Sequence, residues 1–338
     1  MTDTTRQRVG AVLMVASCLL VPRAAAAEDF KIGLTKIANT APIAIAMERG
    51  YFKEAGLTPD ATYFDSQQPI AVAVGSGDLD FGIAAITAAL FNLAAQDRLR
   101  IIAGGIAEHP TFHYLSYIAS NAAYAGGLKS VRDMGGHSYA LTQMGTGLQW
   151  TLALTAELKG FDVKTVRLLP LQSNANIASA IAGGRADSAV FQSTGALPLI
   201  DKGDAKLLGW VGDETGGYLA NLTFASIKTL QDRPDMVKRF LQAYRKGAHD
   251  YHDAFTGPDG KRRDGPDAAA LVTLIAHYLG QPEALVKAGI PYIDAELRID
   301  PADVDRQMDW YRGEGQMKSN DKLDALMDKR FVIVGSAK

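Results

Sequence analysis

A glycine and a threonine that open a helix are the residues of this chain best suited to bind an anion. Gln143, Met144, Gly145 and Thr146 follow a predicted strand and precede a predicted helix. The first amides of a helix have no partner within it and lie at the positive end of its dipole, so they can hold a carboxylate or sulfonate without a charged side chain. Thr146 could equally serve only as the cap of its helix. The segment therefore predicts an anion-binding loop, with a plain helix cap as the alternative.

Three further loops offer hydroxyl, amide or ammonium groups. Lys36 could neutralise an anion or point into solvent, and Thr87 could bind a ligand or cap the helix that it precedes. His113 could stack on an aromatic acid or be an exposed histidine beside a chain crossover. The candidate ligand-binding residues from all these segments are Thr35, Lys36, Asn39, Thr40, Ala85, Thr87, His113, Thr142, Gly145, Thr146, Gln192, Ser193 and Thr194.

Alternating strands and helices must position these loops. Short apolar segments bounded by glycines and polar residues predict strands in the same βα order twice along the chain. The strands predicted for the two repeats lie at residues 31–34, 61–64 and 81–84, and at 138–142, 166–169 and 188–191. Loops at the carboxyl ends of parallel strands share one edge of a sheet, so each repeat places its polar loops together.

The segments that connect and follow the two repeats complete the predicted architecture. An apolar strand at residues 112–118 leads out of the first repeat, and a strand at 222–225 crosses back to it. Apolar residues at helical spacing then predict helices at 232–251 and 268–279. The sequence thus predicts an α/β protein of two lobes.

Composition excludes several classes of protein. The 338 residues are 47% hydrophobic and 21% charged, with a formal net charge of −2, so the chain can bury a large core and carries no basic surface for nucleic acid. The six histidines show no metal-ligand spacing, and no calcium-loop pattern is present. We expect neither a metal nor a cofactor.

The amino terminus has the order of an export signal. Arg6 and Arg8 precede an uncharged apolar run at 11–21 and an alanine-rich stretch, which predicts a signal peptide at residues 1–27 and a periplasmic protein. A short buried helix is the alternative. Cys18, the only cysteine, lies in this leader; lipid anchoring there is the less favoured outcome, because an apolar run rather than a polar tether follows it.

Two motifs carry a resemblance to a known family. Residues 46–57 (AMERGYFKEAGL) precede GDLDFG at 77–82, and GLKSVRDMGG at 127–136 introduces the second repeat. This order resembles the NMT1/SsuA-like solute-binding proteins of ABC importers, which carry sulfonates, nitrate, aromatic acids or thiamin-precursor pyrimidines. The resemblance implies a two-lobe periplasmic binding protein (type II) fold, each lobe a mainly parallel sheet flanked by helices, with ligand in the interlobe cleft. It places lobe 1 at residues 28–116 and 222–338, and lobe 2 at 117–221.

The resemblance also implies a function. A monomer would capture a small organic anion, a sulfonate or an aromatic or aliphatic carboxylate, by lobe closure and deliver it to an ABC permease in the inner membrane. A thiamin-precursor pyrimidine is the alternative ligand, for which Glu214 and Tyr218 are the plausible partners. A sensory receptor or an NMT1-like enzyme are the alternative roles. We expect no enzyme, because the chain has no nucleophile elbow and no cysteine after residue 27.

Overall fold

The computed structural model of the protein describes residues 27–336. The predicted signal peptide lies outside the described residues except for Ala27, and so does Cys18. The strands are β1 (Glu28–Leu34), β2 (Leu57–Tyr63), β3 (Phe81–Ala85), β4 (Leu99–Gly104), β5 (Ile106–Glu108), β6 (Leu115–Ser120), β7 (Ser138–Leu141), β8 (Arg167–Pro170), β9 (Ser188–Gln192), β10 (Ala205–Trp210), β11 (Tyr218–Leu219), β12 (Asn221–Ser226) and β13 (Tyr292–Ile293).

Helices surround these strands, and three 3-10 turns lie at Ala38–Thr40, Val131–Met134 and Val163–Thr165. The helices are α1 (Ala41–Glu48), α2 (Tyr51–Glu54), α3 (Gln68–Ser76), α4 (Ala88–Ala95), α5 (Asn121–Ala125), α6 (Gly147–Lys159), α7 (Asn174–Ala182), α8 (Ser193–Asp201), α9 (Val211–Thr215), α10 (Ile227–Asp232), α11 (Pro234–Phe255), α12 (Ala268–Leu279), α13 (Glu283–Ala288), α14 (Pro301–Gly313) and α15 (Leu323–Leu326). Among residues 27–336 no helix combines the length and apolar character needed to cross a membrane.

The two large sheets share one topology. The first has the order β2-β1-β3-β12-β4 and the second the order β10-β6-β9-β7-β8. In the first, β12 is antiparallel to both neighbours, and in the second β6 is antiparallel to both. The other four strands of each sheet run in a common direction. The predicted α/β fold with two mainly parallel sheets is confirmed, and the reversed strand is the first that the chain adds to each sheet after crossing from the other.

A small third sheet lies where the chain crosses. Its order is β11-β5-β13, and both pairings are antiparallel. The predicted strand at 112–118 is wrong in its start, because β6 begins at Leu115. Phe112 makes only an isolated bridge with His109, since the chain turns at Pro110 and at Thr111, whose φ is +74°.

A close helix crossing holds the first sheet's core together. Helix α11 packs against α1, and Phe240 on α11 stacks on Phe81 of β3 with ring centroids 3.9 Å apart. Gly247 of α11 lies directly over α1, because a Cβ atom there would be 2.1 Å from the carbonyl oxygen of Pro42. The absence of a side chain at this position therefore sets how closely the two helices approach.

Candidate functional site

One cavity of about 590 Å³ lies between the two large sheets, and both sheets contribute loops to its wall. Most of its lining follows the carboxyl ends of β1, β2, β3, β7, β8 and β9, where the strand-end rule places ligands. The lining residues are Thr35, Lys36, Ile37, Phe64, Asp65, Ser66, Gln67, Gln68, Ala85, Thr87, Ile106, Tyr114, Leu115, Thr142, Gln143, Thr146, Gly147, Leu148, Thr151, Gln172, Ser173, Asn174, Ala175, Gln192, Tyr218, Ala220, Asn221 and Gln307.

Five helices begin at this wall. The residues at the N-cap positions of α3, α4, α6, α7 and α8 all line the cavity; they are Gln67, Thr87, Thr146, Ser173 and Gln192. Each of these helices has eight or more residues. Because the amino end of a helix carries partial positive charge, the five ends together favour a negative ligand.

Formal charge is sparse in the same wall. Among the lining residues only Lys36 and Asp65 carry a charged side chain at neutral pH, whereas six are glutamines. Lys36 is exposed, and its Nζ lies 5.1 Å from the centre of the Tyr63 ring. The electrostatic character of the cavity therefore comes mainly from backbone amides and neutral polar side chains.

Thr87 and Thr146, each of which could cap a helix or bind a ligand, make different hydrogen bonds. The hydroxyl of Thr87 accepts a hydrogen bond from the amide of Leu90 at 3.1 Å, so Thr87 caps α4 while also lining the cavity. Thr146 stands at the N-cap position of α6 but makes no cap hydrogen bond. Its hydroxyl donates instead to the carbonyl oxygen of Gln143 at 3.0 Å. The amino end of α6 is thus left without the side-chain cap that α4 has.

The structure divides the predicted site residues into two groups. Those that line the cavity are Thr35, Lys36, Ala85, Thr87, Thr142, Thr146 and Gln192, and those that do not are Asn39, Thr40, His113, Gly145, Ser193 and Thr194. Asn39 and Thr40 are buried behind the first loop, where the hydroxyl of Thr40 donates to the carbonyl oxygen of Thr35 at 3.1 Å. Ser193 is buried, and its hydroxyl donates to the carbonyl oxygen of Tyr114 at 3.0 Å.

His113 lies outside the cavity, on a different set of contacts. Its ring stacks on Trp210 with centroids 4.5 Å apart, and its Nε2 is 3.3 Å from a carboxylate oxygen of Asp213. The structure therefore places the ring of His113 against Trp210, and not where it could stack on an aromatic ligand in the cavity.

Gly145 joins the two halves of the site rather than lining it. Its carbonyl oxygen accepts a hydrogen bond from the amide of Ala88 at 3.1 Å, and Ala88 is the first residue of α4 beside the first sheet. Its own amide donates to Oε1 of Gln149 at 2.8 Å, and the same oxygen accepts from Nε2 of Gln316 at 3.1 Å. With φ of +74°, Gly145 has a conformation that favours glycine. The loop after β7 is thereby fixed against α4 across the cavity.

Sequence reasoning missed two lining loops and several distant residues. The loops at Phe64–Gln68 and 172–175 follow β2 and β8, so the strand-end rule could have found them. In the loop after β2, Oε1 of Gln67 accepts a hydrogen bond from the backbone amide of Ala85 at 2.5 Å. Ile106, Asn221 and Gln307 carry no local signal, because other elements bring them to the wall.

Two buried tyrosines supply neutral hydroxyl groups. Burial raises the pKa of both Tyr114 and Tyr218 above the usual value, so neither ionises at neutral pH. The hydroxyl of Tyr218 is hydrogen-bonded to that of Thr151, which also lines the cavity. Glu214, the carboxylate predicted for a pyrimidine ligand, lies outside the cavity and pairs with Lys159 at 2.6 Å. Among residues 27–336 no three metal-binding side chains cluster to hold a metal ion.

Solved structures with this fold define the class of protein. The alkanesulfonate-binding protein SsuA from Xanthomonas axonopodis pv. citri, bound to MOPS, is 18% identical, with a TM-score of 0.67 over 92% of this chain and 100% of that one. The periplasmic aliphatic sulphonate binding protein SsuA from Escherichia coli is 14% identical, with a TM-score of 0.69 over 91% and 94%. The desulfurization enzyme DszB is 16% identical, with a TM-score of 0.61 over 90% and 97%. The fold is that of the periplasmic binding proteins.

Within that fold the sequence identifies the family. Residues 37–258 match the family described as NMT1/THI5 like, and the chain belongs to it. No curated protein matches the sequence. The predicted NMT1/SsuA-like family is confirmed.

Proposed function

We propose that this protein is an exported, monomeric solute-binding protein that captures a small organic anion and delivers it to an ABC permease in the inner membrane. The lobes are residues 28–116 with 222–338, and residues 117–221. One observation carries the proposal: the N-cap residues of five helices line a single cavity with little formal charge of its own. The helix ends in such a wall attract a carboxylate or sulfonate group, and the side chains contact the rest of the ligand and determine which ligand fits.

Size and shape agree with an organic ligand. A cavity of about 590 Å³ is in the range of small-molecule sites and exceeds the needs of nitrate or bicarbonate. Phe64, Tyr114 and Tyr218 offer apolar ring surface in the same wall. A ligand that touches loops of both sheets stabilises the arrangement in which those loops meet, and a permease can recognise that arrangement.

The enzyme and pyrimidine alternatives are less well supported. DszB shares the fold, and one of its structures is a cysteine-to-serine variant in complex with biphenyl-2-sulfinic acid. Residues 27–336 of this chain contain no cysteine, so a thiol-dependent reaction would lack its nucleophile. A pyrimidine would gain only one carboxylate from the wall, that of Asp65.

A thermal-shift screen of residues 28–338 tests the proposal. The compounds are alkane and aromatic sulfonates, aromatic and aliphatic carboxylates, nitrate and pyrimidines. A ligand that binds only the native state raises the melting temperature, by an amount that grows with concentration above Kd. We expect shifts with organic anions. Shifts with pyrimidines alone, or none in a folded, ligand-free sample, would contradict the proposal.

A charge substitution in the wall sharpens the test. Gln143 lines the cavity beside the amino end of α6, and Gln143→Glu adds a negative charge with almost no change of shape. We expect anion affinity to fall about tenfold, because like charges a few ångströms apart repel strongly near a protein surface. Gln242→Glu, on an exposed position of α11, is the matched control and should leave Kd unchanged. Equal affinity of the two variants in calorimetric titration would refute an anion site at this wall.

A further inference from the structure

Glu108 is a buried carboxyl group that makes no hydrogen bond of normal geometry with the described residues, although the backbone amides of Leu115 and Gly212 lie near it. It ends β5 in the small sheet between the lobes and is 1% exposed. Neither carboxyl oxygen has a hydrogen-bond partner of normal geometry in the part of the chain that the structure describes. A buried polar group in this state costs stability, and a buried unpaired charge costs more, so an acid retained here needs a physical reason.

The groups around Glu108 connect it to the ligand cavity. Glu108 pairs directly with Tyr218 in the β5–β11 ladder. Burial raises the pKa of Tyr114, Tyr117 and Tyr218, and a charge on Glu108 would raise each of these pKa values further. Tyr114 and Tyr218 are themselves cavity-lining residues. Tyr218 also lines the small cavity beside Glu108, so this residue lies between the carboxyl group and the site proposed for the anion.

No positive charge in the described residues compensates Glu108. It lines a second cavity of about 10 Å³ together with Ala107, His109, Tyr218, Leu219, Asp300 and Asp303. The ionisable neighbours there are His109, whose Nδ1 lies 2.6 Å from the carbonyl oxygen of Pro110, and the two aspartates at the start of α14. A space of this size holds at most one water molecule, so a hydrated cation does not fit.

Burial in this setting decides the charge of the group. Burial raises the pKa of Glu108 well above its usual range, and the nearby backbone amides of Leu115 and Gly212 oppose this only in part. An ionised Glu108 would stand behind the wall of an anion site and repel its ligand, whereas a neutral Glu108 would not.

We propose that Glu108 is a proton-binding site linked to ligand capture: the cavity binds its anion with Glu108 neutral, and ionisation of Glu108 favours release. The inference rests on the proposed function and specifies its regulation. Because ligand and proton bind favourably together, each raises the affinity for the other. The affinity of the cavity for its anion is therefore highest at low pH, and it declines as pH rises through the pKa of Glu108.

The decline has a predictable size. Two like charges about 10 Å apart at an effective dielectric constant of about 20 repel by an amount that corresponds to roughly tenfold in affinity. We expect the Kd for benzenesulfonate, which stays ionised throughout, to rise about tenfold as pH increases from about 5.5 through the raised pKa of Glu108. Glu108→Gln, which keeps the shape and removes the charge, should hold the low-pH affinity across the series.

The experiment is calorimetric titration of residues 28–338 with benzenesulfonate over this pH range. Glu157→Gln is the control, because Glu157 is an exposed acid that pairs with Arg306 at 3.0 Å. The control should reproduce the wild-type pH profile. Parallel profiles for wild type and Glu108→Gln would overturn the inference.

A measurement without ligand keeps this test separate from the proposed function. Carbon-13 NMR of the glutamate carboxyl groups, with Glu108 assigned from the Glu108→Gln spectrum, should show one carboxyl that stays protonated well above the others. An ordinary pKa for Glu108 would refute the inference alone and leave anion binding intact. A raised pKa with no anion bound at any pH would refute the proposed function and with it the link to capture.

Discussion

Removing one backbone hydrogen bond across the cavity tests whether ligand binding requires contact between the two sides of the cavity. The amide of Ala88 donates to the carbonyl oxygen of Gly145 at 3.1 Å. Ala88→Pro removes this donor at the first position of α4, where proline is well tolerated. Thr87 already has φ −142° and ψ 154°, the extended conformation that a residue before proline prefers. Helix α4 should therefore form normally in the variant.

The magnitude follows from the geometry of the contact. Loss of the hydrogen bond alone costs about 1 kcal/mol. The proline ring carbon, about 1.5 Å from the nitrogen, also lies where the amide hydrogen pointed and would be left about 1.6 Å from the Gly145 oxygen. That overlap excludes the observed contact between α4 and the loop after β7. We expect anion affinity to fall at least about 100-fold, a cost of about 2.7 kcal/mol.

Calorimetric titration with the anion found in the screen measures the loss. Ala88→Ser, which keeps the amide, is the control and should bind within about twofold of wild type, a difference under about 0.5 kcal/mol. The melting temperature of the ligand-free Ala88→Pro protein should change little, because the lost contact joins α4 to the loop after β7 and is not part of the strand pairing of either large sheet. Wild-type affinity in Ala88→Pro would show that the contact plays no part in capture.

Two further predictions concern stability. Gly247→Ala should lower the unfolding free energy by at least about 1–3 kcal/mol, because its Cβ would lie 2.1 Å from the carbonyl oxygen of Pro42. An unchanged midpoint of urea unfolding would contradict the close approach of α11 to α1. The hydrogen bond from Ser130 holds the pKa of Asp133 below its usual value, so Asp133 stabilises the fold above the unfolded-state pKa and this contribution is lost as pH falls through the folded-state pKa. Asp133→Asn should therefore destabilise the protein in urea at neutral pH, and this destabilisation should shrink as pH falls through the folded-state pKa of Asp133. A destabilisation that grows in acid would contradict the prediction.

Regular elements were predictable because their patterns are local. The helix Ala268–Leu279 was predicted at the bounds that the structure shows, and the helix predicted at 232–251 is found at Pro234–Phe255, since apolar residues repeat at helical spacing in both. The third sheet was not predicted, because strands of two or three residues such as Tyr218–Leu219 are too short to show alternation. Its pairing depends on where the chain crosses between lobes, which no single segment encodes.

Those residues of the candidate site that directly follow a strand were also predictable from local patterns. Thr142, Thr146 and Gln192 reach the cavity because they follow strands of a parallel sheet, the rule from which they were predicted. His113 does not, since the turn at Thr111 shifts the start of β6 and directs the histidine to Trp210. Residues such as Glu108 are recognised only from burial and missing partners, and neither is visible in a sequence.

Placing the positive character of the cavity in helix ends has a consequence for how this protein can change. No single substitution of a side chain removes a backbone dipole, and none of the five ends titrates with pH. The six glutamines and three aromatic residues of the wall are replaceable one at a time. A lineage of such proteins can thus exchange one organic acid for another while its preference for negative charge is inherited with the fold.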